Sequence, residues 1–141
     1  MRIDLERGNR RPFMLQRVVF PFIDRSQEPE DAEGQPNPAA VEAIRRNIEY
    51  LHERLLGEHV SPQELEATYQ LFLETWREGK AAMAEGSQGR ELFYGCQADR
   101  DLQTNELLPA ENQVVEDLSY AVRAWQVVVT YLLADWAFLH E

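Results

Sequence analysis

One cysteine, Cys96, is all the chain carries, so no intramolecular disulfide can form, and neither a CxxC pair nor a CxxCH haem-attachment motif exists. Long apolar runs are missing too. The longest uncharged stretch, Ala124 to Ala134, is too short to span a bilayer and ends at Asp135, so no membrane span is expected. The start, Met1 to Arg11, is charged and lacks the apolar run of a signal peptide, which predicts a cytoplasmic protein for the chain as written. Basic residues are in deficit, with 14 Lys and Arg against 25 Asp and Glu and a net charge of −11. Nucleic-acid binding, which needs a face of Lys and Arg to displace condensed counterions, is therefore not expected. Also absent are a glycine-rich phosphate loop, a GxSxG elbow and a zinc-ligand pattern.

What is present describes one globular domain. A 141-residue chain has room for one modest core, and a hydrophobic fraction of 44% supplies enough apolar surface to oppose the entropy of ordering it. The charge is uneven: residues 2–25 carry six arginines against Asp4, Glu6 and Asp24, so the remainder is more acidic than the whole. Docking of this basic start on the acidic body is the simplest reading, and a basic arm for an acidic partner is the alternative.

The helix signals are strongest in the middle. Asn37 before Pro38 reads as an N-cap and first-turn pair, and Val41, Ile44, Ile48, Leu51 and Leu55 then recur at alternating spacings of three and four. Gly57 supplies a stop, giving a helix over 38–56. Ser61 and Glu64 have the spacing of a capping box, with Val60 and Leu65 at the staple positions, so a second helix is expected over 61–84 with Leu65, Tyr69, Phe72 and Trp76 inward. A turn this short makes the two helices antiparallel neighbours. A third helix is expected over 117–140. The apolar segment Pro12 to Ile23, broken by Pro21, is expected to pack across the three helices, and residues 24–38 read as an acidic, proline-rich connector. Residues 85–116 read as a long irregular loop, a place to look for activity. The fold class expected is an all-α antiparallel bundle.

The last helix is apolar on every face. Leu118, Val122, Trp125, Val129, Leu132 and Trp136 fall on one side, with Tyr120, Val127, Val128, Tyr131, Leu133 and Phe138 around it. Such a helix must be buried all round, and a small domain has few elements to surround it. Either the N-terminal apolar segment completes the cover or another chain, including a second copy, does, with Trp125, Val128, Tyr131, Leu132 and Trp136 as candidate interface residues in the latter case. A non-enzymatic interaction domain or accessory subunit is the leading functional expectation, with no cofactor.

The alternative is a metal-binding, di-iron-like bundle. Glu49 and His52 match the Glu-x-x-His spacing that places a carboxylate and an imidazole on one helical face, with Glu42 and Glu74 as further donors and a second motif required from a symmetry mate. Asp24, Ser26 and Glu28 start like a calcium loop, but Pro29 stands where the turn needs glycine; Asp99, Asp101, Asn105 and Glu106 are no better. Cys96 would need a base from His52, His59 or His140, and no spacing links them.

The order of four segments carries a resemblance: RPFMLQRVVFPFIDR at 11–25, NIEYLHERLLG at 47–57, ELEATYQLFLETWREGK at 64–80 and VRAWQVVVTYLLADWAFLHE at 122–141. Together they resemble the C-terminal helical part of large uncharacterised bacterial proteins, many of them exported. The resemblance covers most of the chain and contains no catalytic motif. It implies a fragment or freestanding relative of a longer protein, exported in the former case, and implies no activity.

Overall fold

A computed structural model of the chain describes residues 19–25, 27–101 and 104–135. Among them are three α-helices, α1 (Pro38–Leu56), α2 (Pro62–Ala84) and α3 (Ala121–Leu133), and no continuous strand.

The ends of α1 and α2 are set by local chemistry. The Asn37 side chain accepts from the Ala40 amide, Pro38 fills the first turn where no amide partner is needed, and Gly57 closes α1 in the left-handed region at φ 70. At α2 the capping box forms as expected: the Ser61 amide donates to Glu64 Oε2 at 3.0 Å and the Glu64 amide to Ser61 Oγ at 3.3 Å.

Each pair of helices is in contact, α2 with α3 most extensively. The core lies between them. Ile44, Ile48 and Leu51 of α1, Tyr69, Phe72 and Trp76 of α2, and Val122, Trp125, Val128 and Leu132 of α3 are all buried. Phe20 and Ile23 join them, with the Phe20 ring 5.3 Å from that of Trp125 and Phe72 on Trp125 at 4.8 Å. The described end of the N-terminal apolar segment is thus a core element, tied by Asn47, which donates to the Val19 carbonyl at 3.3 Å. The connector that follows is also tied down. The Asn37 amide bonds the Pro29 carbonyl at 2.9 Å, Glu28 pairs with Lys80 at 2.8 Å and Glu30 pairs with Arg77.

The third helix starts later than expected, at Ala121 rather than 117. Residues 117–120 are instead its cap. Asp117 accepts from the amides of Val122 at 3.2 Å and Arg123 at 3.0 Å, and Ser119 Oγ accepts from that of Ala121. Tyr120 turns the chain in the left-handed region at φ 61, a conformation that costs a bulky residue energy.

The segment expected as an irregular loop is a symmetric pairing. Residues 90–101 and 106–117 run antiparallel, and each backbone bond recurs with the two segments exchanged. The Leu92 amide bonds the Val115 carbonyl and the Leu108 amide that of Asp99; the Asp117 amide bonds the Arg90 carbonyl and the Asp101 amide that of Glu106. Ala98 and Val114, at the centre, exchange two bonds of 2.9 Å. Each segment carries a 3₁₀ turn, Tyr94–Cys96 and Ala110–Asn112, closed by a glutamine: Gln97 Nε2 donates to the Leu92 carbonyl at 2.9 Å and Gln113 Nε2 to that of Leu108 at 2.8 Å. Leu92, Ala98 and Val114 are buried, so this paired loop rests on the helices as a fixed module.

Candidate functional site

Of the five residues expected at an interface, Trp125, Val128 and Leu132 face the chain's own core, with at most 1% of their surface exposed. The reason is that α2, α1 and Phe20 cover that side of α3, so the stripe chosen from the sequence is the inward one. Tyr131 lies on the outer face and is 51% exposed. Trp136 lies outside the described residues.

The metal motif separates into two environments. Glu49 is exposed on the flank of α1, whereas His52 is buried with Nε2 3.3 Å from Thr68 Oγ1 of α2. Burial pushes the His52 pKa below its ordinary value, with Glu64 and Asp135 pulling the other way. Among the described residues no group of three His, Cys, Asp or Glu side chains is placed to hold a metal ion. Glu28 is in its ion pair with Lys80, and Asp101 caps a turn by accepting from the Thr104 amide at 3.0 Å. His59 Nδ1 lies 2.7 Å from Glu53 and His52 Nε2 faces Thr68; Cys96 is half-buried, and His140 lies outside the described residues.

The outward apolar surface has an uneven distribution. The large exposed hydrophobics among the described residues are Phe93, Tyr94, Leu107, Leu118, Val127, Tyr131 and Leu133. All belong to the paired loop, its junction with α3, or α3; α1 and α2 contribute none. Phe93 and Tyr94 are 81% and 82% exposed at the start of the first 3₁₀ turn, whose Gln97 lock holds the backbone that presents them.

Beside the second half of the loop is an open cleft of about 570 Å³. Val115, Leu118 and Ala110 supply its apolar lining, Glu28, Glu91 and Glu116 its acidic part, and Arg25 one basic group. Those two glutamates stand directly opposite each other in the antiparallel pairing, an arrangement that repels unless a cation comes between them. Asp117 at the cleft's inner wall is already neutralised, its carboxylate 3.2 Å from Arg123 Nε. Ser119 Oγ there donates to the Arg25 carbonyl at 2.5 Å.

Sequence reading missed this module, although a signal was present. Leu92, Gln97 and Asp101 recur in the same order and spacing as Leu108, Gln113 and Asp117.

Among the described residues no helix is long and apolar enough to cross a membrane. Comparison with known proteins gave no matching family model, curated protein or solved structure.

Proposed function

We propose that the three helices form an antiparallel bundle closed by the N-terminal apolar segment, and that this bundle is a non-enzymatic protein-interaction domain or accessory subunit. Its working surface is the paired loop together with the outer face of α3, carried by Phe93, Tyr94, Val127 and Tyr131. The observation behind this reading is where the large exposed hydrophobics fall: among the described residues all lie between residues 93 and 133. Scattered surface hydrophobics are ordinary, whereas adjoining ones mark association, and Phe93 and Tyr94 adjoin, 81% and 82% exposed. Aromatic side chains on a rigid turn bury large area with little loss of conformational entropy, a feature of binding anchors.

The test is site-specific photo-crosslinking in the cells that make the protein, with the reactive group at Tyr94, at Tyr131 and, as a control, at Glu53 on α1. A discrete adduct from Tyr94 and Tyr131 but not from Glu53 is the expected result. No adduct, or the same adducts from all three positions, refutes the reading. Light scattering across concentration on the purified protein shows whether a second copy is the partner.

A further inference from the structure

Resting on the interaction reading above, we propose that the cleft beside the paired loop receives a lysine- or arginine-bearing segment of a different protein, its aliphatic stem on Val115 and Leu118 and its charged head between Glu91 and Glu116.

The apolar part of the argument is Leu118. It is 60% exposed, on a segment that is otherwise fixed by the Asp117 cap and the Trp76 Nε1 bond to the Ser119 carbonyl at 2.8 Å. Held in place at the lip of the cleft, Leu118 offers apolar surface to the stem of a basic side chain.

Charge selects the occupant. Four carboxylates line the cleft, Glu28, Glu91, Glu116 and Asp117, against one cation, Arg25, and of the four Glu28 and Asp117 are already paired, with Lys80 and Arg123. Among the described residues, none of Glu91, Glu106, Glu111 and Glu116 takes part in an ion pair. A cation entering between Glu91 and Glu116 relieves a repulsion already present in the folded chain, so the pairing gains on both counts. Lysine and arginine suit such a place because their stems cover apolar surface while the head stays at the polar edge. A second copy does not suit it. Two chains of charge −11 meeting here would bring the same carboxylates together.

The loop's pseudo-symmetry sharpens the point. The position that pairs Glu91 with Glu116 on one side pairs Arg100 with Leu107 on the other. Only one half of the module carries the doubled carboxylate, so it is a property of the cleft and not a requirement of the pairing.

The probe is a fluorescent amphipathic peptide of leucine and lysine, compared with the same peptide carrying acetylated lysines, in binding to the full chain by anisotropy. The lysine peptide should bind and the acetylated one should not. Glu91→Gln with Glu116→Gln should weaken binding about tenfold, and Leu118→Ser by several-fold. Glu53→Gln with Glu58→Gln, at the distant α1–α2 turn, should leave it unchanged. All these side chains are exposed, so the variants leave the core intact. Equal binding of the two peptides, an equal loss in the control pair, or no binding overturns the proposal. If the crosslinks from Tyr94 and Tyr131 persist in that event, the interaction reading stands and the charge class falls alone. Self-association that survives Glu91→Gln with Glu116→Gln and is lost in Leu118→Ser would assign the cleft to a second copy.

Discussion

The ring of Tyr120 occupies the space over Gly79 of α2, so that a β-carbon at Gly79 would fall 2.0 Å from Tyr120 Cε1. This close approach is what lets the turn before α3 lie on α2. Gly79→Ala should therefore destabilise by about 1–2 kcal/mol, an overpacking cost of roughly 1–3 kcal/mol offset in part by the better helix propensity of alanine. In a Tyr120→Ala background the same substitution should stabilise by about 0.5–1 kcal/mol, because only the propensity gain is left. Urea melts of the four proteins in this cycle measure the coupling; additive effects would mean that the ring yields freely.

The Asp117 carboxylate, 1% exposed, does three things at once: it caps two amides of α3, accepts from Arg123 and sits in the segment that closes the paired loop. Arg123 in turn reaches the Gly89 carbonyl at 2.9 Å and the Asp117 carbonyl at 3.1 Å. Asp117→Ala should cost about 2–4 kcal/mol, the sum of a lost cap and a largely buried guanidinium left without its anion. Arg45→Ala, which breaks the partly exposed pair with Glu66, should cost no more than about 1 kcal/mol. Thermal denaturation of the two variants compares them directly, and equal losses would deny Asp117 this role.

How much of this was readable from residues alone follows from distance along the chain. Asn37, Pro38 and Gly57, and the Ser61–Glu64 box, each act within four residues, and both ends of α1 and the start of α2 fell where those residues placed them. The start of α3 did not, because Asp117 caps from outside the helix and Tyr120 adopts a backbone conformation for which glycine or asparagine is the usual sign. Nor did the paired loop, whose bonds are backbone bonds between segments that share three residues out of twelve. The inward stripe of α3 could not be chosen, since a helix apolar all round gives no periodicity to choose with. Its outer residues Val127 and Tyr131 differ from Val128 and Leu132 only in what packs on them.

Gln97 and Gln113 hold equivalent positions in the two halves of the loop, each spanning its own 3₁₀ turn to a leucine carbonyl. Gln97→Ala and Gln113→Ala should each cost about 1 kcal/mol, the net worth of one hydrogen bond. Hydrogen exchange should separate them. Loss of Gln97 should speed exchange at the Cys96 and Gln97 amides, and loss of Gln113 at Asn112 and Gln113, with Ala98 and Val114 at the shared centre affected by both. Exchange confined to the mutated half and sparing the centre would show two independent turns instead of one module. Because the first turn presents Phe93 and Tyr94, Gln97→Ala should also lower crosslinking from Tyr94 more than Gln113→Ala does.

His52 predicts how the fold responds to acid. It is buried between α1 and α2, and burial holds its pKa below the ordinary histidine value, against the pull of Glu64 and Asp135. The unfolded chain, where the imidazole has its ordinary pKa of about 6.5, therefore takes up the proton first as the pH falls. Stability from a neutral His52 is complete above about pH 6.5 and declines as the pH drops from there toward the lower folded pKa, below which both states are protonated. His52→Gln keeps a group able to bond Thr68 but cannot titrate. Its urea midpoint should consequently change less than the wild type's between pH 7.5 and 5.5. If the two proteins lose stability in parallel over that interval, the imidazole is not the group that senses acid, and the contact with Thr68 does not depend on its neutrality.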